Sequence, residues 1–94
     1  MPGPEVLNRV PRRSDSASWS VFDDEVVLLE THRRLMLGLN PSGGVIWELV
    51  DGQRNVRAIG EAVADHFGQP LEAVLDDTVA FLELLHGRSV IAYD

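Results

Sequence analysis

The side chains best suited to chemistry in this sequence are three histidines, two runs of neighbouring carboxylates and a glycine pair. Their spacing argues against chemistry at any of them. His32, His66 and His86 stand far apart and form no HxH or HxxxH pair, so a metal would need ligands gathered from distant segments. Asp23-Asp24-Glu25 and Asp76-Asp77 read as a turn and a helix surface, where water keeps neighbouring acids ionised and no apolar surroundings raise a pKa. Gly43-Gly44 lacks the spacing of a phosphate-binding loop or a dinucleotide fingerprint, and no GxSxG elbow is present. With no cysteine there is neither a disulfide nor a thiolate metal site. The expectation is a non-catalytic chain with no cofactor and no metal.

Ninety-four residues make one domain, and a chain this short buries roughly 60–65% of its unfolded surface in one small core, too little for a deep catalytic cavity. The formal charge of −7 repels phosphate, so nucleic acid is not an expected partner. No apolar run approaches the roughly 20 residues that span a bilayer, which argues against a membrane partner. Met1-Pro2-Gly3-Pro4 does not resemble a secretion signal, so the cytoplasm is the expected compartment.

The elements that would position a site begin after a proline- and arginine-rich leading segment. Residues 1–15 carry three of the five prolines with no apolar periodicity and read as a flexible arm, leaving residues 16–94 as the folded domain. Ala17, Trp19 and Val21 alternate with serines, Val26 to Leu29 form an apolar run, and Arg34 to Leu39 form a third; the short links between them predict an antiparallel meander. Asn40 then offers an N-cap with Pro41 at the first helical position, and Asp51-Gly52 closes that helix. A second helix runs from the cap Asn55 to Gly68, with Gly60 in its middle marking a close contact. A third runs from about Pro70 to His86, and an extended piece follows Gly87. Three strands followed by three helices predict an α+β, winged-helix-like domain.

The third helix has two apolar stripes. Val74, Thr78, Phe81, Leu82 and Leu85 have the spacing of a core face, whereas Leu71, Leu75 and Val79 form a surplus stripe that either widens the core contact or binds a partner. Its outer surface carries Glu72, Asp76, Asp77 and Glu83, which disfavours the alternative of a winged-helix DNA-binding regulator.

The run LN-x(2)-G-x(2)-IWEL-x-DG, here Leu39-Asn40, Gly43, Ile46-Trp47-Glu48-Leu49 and Asp51-Gly52, resembles the PqqD-like family, the peptide-recognition elements of ribosomally made, modified peptides. The likeness extends over about residues 17–93. Asn55 stands where the family often has threonine, and Gly87-Arg88-Ser89-Val90-Ile91 departs from its usual end.

The resemblance implies a stand-alone adaptor that binds the leader of a precursor peptide as an added strand beside the third strand, walled by the third helix. On that reading the peptide pairs with Arg34, Leu35, Met36, Leu37 and Gly38, while Leu71, Leu75 and Val79 line the pocket and Asp76 favours a basic leader residue. The partners expected are the leader and a separate maturation enzyme, either a radical enzyme or a leader protease with a cyclase. Quinone-cofactor, lasso-peptide and thioether pathways all fit, as do a monomer or a homodimer hiding the third strand's edge.

Overall fold

The computed structural model describes residues 3–93. Nine elements follow in order: α1 (Pro4–Asn8), β1 (Pro11–Arg13), β2 (Ala17–Phe22), β3 (Glu25–Glu30), β4 (Leu35–Leu39), α2 (Pro41–Leu49), α3 (Val56–Phe67), α4 (Leu71–Gly87) and β5 (Ile91–Tyr93). The predicted meander is the antiparallel sheet β2-β3-β4, and the predicted helices are α2 to α4. No helix among the described residues is long and apolar enough to cross a membrane.

Alternation along the strands decides which residues enter the core. Val26 and Leu28 pair with Leu39 and Leu37 on the face turned to the helices, and there they meet Ile46 and Trp47 of α2, Val56, Ile59 and Val63 of α3, and Leu82 and Leu85 of α4. Trp47 is wholly enclosed. Asn40 caps α2 by accepting the Gly43 N–H at 2.8 Å, and Asn55 caps α3 by accepting that of Ala58 at 2.8 Å. Helix α2 stops at Leu49, earlier than expected. Its end is not a glycine cap: the Asp51 carboxylate accepts the N–H groups of Gln53 and Arg54, both at 2.9 Å, while Gly52 takes a φ of +78° in the link to α3.

Residues 1 and 2 of the flexible arm expected for residues 1–15 lie outside the described residues, and from residue 3 onward the segment is packed rather than loose. Leu7 of α1 is buried, the Arg9 carbonyl accepts the Val56 N–H at 3.0 Å, and β1 pairs antiparallel with β5 from Pro11↔Tyr93 to Arg13↔Ile91. A domain boundary after residue 15 would cut through that packing. Proline and arginine suggest a loose tail, but Pro11 fits an edge strand and two of the three arginines lie on aromatic rings: Arg9 over Tyr93 at 4.2 Å, and Arg13 over Trp19 at 4.3 Å and Trp47 at 4.9 Å. Arg13 also donates to the Trp47 carbonyl at 2.9 Å, and burial lowers its pKa against the opposing pull of Glu48 and Asp51.

Candidate functional site

Among the described residues, strand β4 is an edge, paired with β3 on one side only. Which of its backbone groups are open follows from the ladder. Thr31 N–H donates to the Ser16 carbonyl at 3.1 Å, and the two-residue turn Asp23-Asp24 closes the hairpin on the pair Phe22↔Glu25. The alternation of bonded and non-bonded pairs then turns Glu25, Val27 and Leu29 of β3 towards β2, and Val26, Leu28 and Glu30 towards β4. Leu35, Leu37 and Leu39 are therefore bonded to β3, and Met36 and Gly38 present N–H and C=O to the open side. A Cβ at Gly38 would meet nothing within 4 Å, so a second backbone can approach there closely.

Two contacts tie the segments on either side of β4 to α4 and its end. Before the start of β4, the Arg33 guanidinium donates to the Gly87 carbonyl at 3.0 Å and to the Ser89 hydroxyl at 3.2 Å. Just beyond its end, Gly43 lies so near Phe81 that an added Cβ would come within 2.9 Å of the ring. The turn between β3 and β4 is held from beneath by Glu30, which is 2% exposed and accepts the Arg33 N–H at 2.6 Å. A hydrogen bond from Ser16, then that of the Arg33 backbone, holds the Glu30 carboxyl below its usual range.

The row of α4 that bears Phe81 also bears Asp77 and Leu84, four residues before and three after it. Phe81 is half-buried and Leu84 is 42% exposed, whereas the Met36 side chain, 73% exposed, lies with Leu29 on the sheet face turned away from the helices. At the Asn40 end a cleft of about 360 Å³ opens between Gly43 and Ile46 of α2, Phe67 of α3, and Val74, Asp77 and Phe81 of α4. Its lining is mainly apolar, with Asn40, Ser42, Gln69, Asp77 and Thr78 as the polar residues. Backbone donors and acceptors beside an apolar cleft can hold an extended peptide, with pairing for affinity and the cleft for side-chain choice. Among the described residues no group of three or more His, Cys, Asp or Glu is placed to hold a metal.

The expected site residues separate into two groups. Leu35, Met36, Leu37 and Gly38 lie on β4, and Arg34 ends the turn before it with a φ of +55°. Leu71 and Leu75 lie elsewhere: they pack on α3, where a Cβ at Gly60 would stand 2.8 Å from Leu75 Cδ1 and 3.3 Å from Leu71 Cδ1. Val79 packs half-buried against the core, and Asp76 is exposed. At 100° per residue Leu75 sits about 120° round the helix from Phe81, on the other flank. The surplus stripe widens the core contact, and the residues beside the cleft are Val74, Asp77 and Phe81. Gly60 was the available signal, since its close contact needed an apolar partner on α4.

Residues 25–91 match the family described as coenzyme PQQ synthesis protein D (PqqD). A protein named PqqA binding protein from Pseudomonas aeruginosa strain UCBPP-PA14 is 42% identical over 53 residues, 56% of this chain and 56% of that one. Its namesake in Pseudomonas paraeruginosa strain PA7 is 40% identical over the same share of each. The chain thus spans a little over half the length of these curated relatives. Among solved structures, TbiB1 in complex with the TbiA(beta) leader peptide superposes with a TM-score of 0.77 at 28% identity, covering 85% of this chain and 93% of that one.

Proposed function

The chain belongs to the PqqD family, and from that premise we propose that it captures the leader of a ribosomally made precursor peptide as a strand added to β4. The observation that carries this is the pair of open residues Met36 and Gly38, on a strand that leads into the cleft lined by Asn40 and Gly43, in a fold shared with a leader-bound protein. The relatives named for binding PqqA support a peptide as the ligand. The chain carries no chemical step in this reading; it presents the leader to a separate maturation enzyme, either a radical enzyme or a leader protease with a cyclase, and it works in the cytoplasm as a monomer or a homodimer.

Four strand bonds at about 1 kcal/mol each and two apolar anchors at about 1.5–3 kcal/mol each give roughly 7–10 kcal/mol before ordering costs, which corresponds to micromolar capture. Asp77 rather than Asp76 is the acid beside the cleft, and it favours a basic leader residue there by about 0–1 kcal/mol.

The test is a titration of 15N-labelled protein with synthetic leader segments from the precursor frame beside its gene. The amides of Met36 and Gly38 are expected to shift together with the Phe81 ring. If a leader binds and those amides stay in place, or if no such leader binds, the assignment fails.

A further inference from the structure

The sheet has a second open edge. Among the described residues strand β2 pairs only with β3, and the same ladder that frees Met36 and Gly38 leaves the N–H and C=O of Trp19 and Val21 pointing away from the sheet. Folded proteins usually guard such an edge with a charge, a proline or a bulge. Between Ala17 and Phe22 there is neither a charge nor a proline, and Trp19, Val21 and Phe22 are 43%, 62% and 64% exposed. Trp19 is also held in place, edge-on to Trp47 at 5.3 Å with Arg13 over its ring, so its indole is set before anything binds.

The charges at the two ends of the strand indicate what fits it. Exposed Asp15 lies before it, and exposed Asp23, Asp24 and Glu25 follow it. A second copy fits badly: in any antiparallel pairing of two β2 strands centred on Trp19 or Ser20, Asp15 falls opposite Asp23, Asp24 or Glu25 of the other copy. We propose that this edge docks an extended segment of a partner protein with apolar side chains at alternate positions and lysine or arginine at both ends. The partner's apolar row covers Trp19 and Val21, and its basic ends meet the acids. Docked there, it extends the sheet on the side opposite β4, so the chain can bind this partner and a leader together. Three strands spaced about 4.8 Å apart separate the two added strands by roughly 19 Å.

The probe is the peptide Arg-Lys-Val-Thr-Val-Thr-Val-Lys-Arg with blocked ends, added to the 15N-labelled chain at low salt. The amides of Trp19 and Val21 shift while those of Met36 and Gly38 do not, so the result is read independently of leader binding. Val21→Pro, which removes an outward N–H without touching the β3 ladder, weakens the peptide by about tenfold, as does exchanging its basic ends for glutamate. Val21→Lys keeps every backbone group, sets like charge against the basic ends, and gives the same loss should the proline variant not fold. The proposal is overturned if the peptide fails to bind, moves the β4 amides instead, or binds equally well with acidic ends. It is likewise overturned if light scattering shows the chain forming dimers that Val21→Lys breaks.

Discussion

The two flanks of α4 carry similar residues and do different work. Leu71 and Leu75 on one flank interlock with α3 because Gly60 has no side chain to keep them out. On the other, Phe81 lies against Gly43, just beyond the end of β4, a cleft remains next to it, and Leu84 is 42% exposed. Apolarity is common to both flanks; what differs is whether the opposite element already fills the space. On the function proposed above, the binding surface is the apolar row next to an open cleft and a strand with free backbone groups, whereas the row facing a glycine on another helix is core.

The largest expected effect breaks the packed flank. Leu75→Asp places a charge with no partner against α3, and a loss of about 3 kcal/mol or more in urea unfolding is expected. Any loss of leader binding then follows from unfolding, whereas a folded variant that specifically stops binding leader would return Leu75 to the groove. Gly60→Val tests the same contact from the other helix: its Cβ starts 2.8 Å from Leu75, and overpacking costs about 1–3 kcal/mol. On the open flank Leu84→Asp leaves the unfolding free energy within about 0.5 kcal/mol of the parent. Leader affinity, measured by Trp19 and Trp47 fluorescence, falls about tenfold, equivalent to roughly 1.4 kcal/mol. Equal affinity in parent and Leu84→Asp would remove that row from the site.

The strands, the three main helices and their caps were legible because each has a local cause: alternation in β2, an apolar run in β3, and asparagine caps at Asn40 and Asn55. That β4 ends the sheet was legible from the order of the meander. Which stripe of α4 packs on α3 was not, because two stripes on one helix look alike until their neighbours are known, and the angle between α3 and α4 is a tertiary property. The leading segment escaped for a similar reason. Its order rests on β5 and on aromatic partners from distant parts of the chain, among them Trp47 and Tyr93, with no periodicity of its own.

The smallest expected effect concerns how the open flank is kept at its distance from β4. Arg33 ties the turn before β4 to the end of α4, and Glu30 holds that turn through the Arg33 N–H, so the carboxylate helps set the start of the binding edge. Its folded pKa lies below the reference value of 4.5, chiefly through the hydrogen bond from Ser16 and then that of the Arg33 backbone. A depressed carboxyl pKa stabilises the fold above the unfolded value and loses that contribution as pH falls through the folded one. The stability difference between parent and Glu30→Gln is therefore expected to stay constant from pH 7 down to about pH 5 and to shrink below it. Urea midpoints of the two proteins at pH 7, 5, 4 and 3 measure this. The exposed Asp51, also depressed, titrates alike in both and cancels from the difference. A difference that does not change with pH would mean that Glu30 holds the turn as well protonated as ionised, and the edge would then owe its position to Arg33 alone.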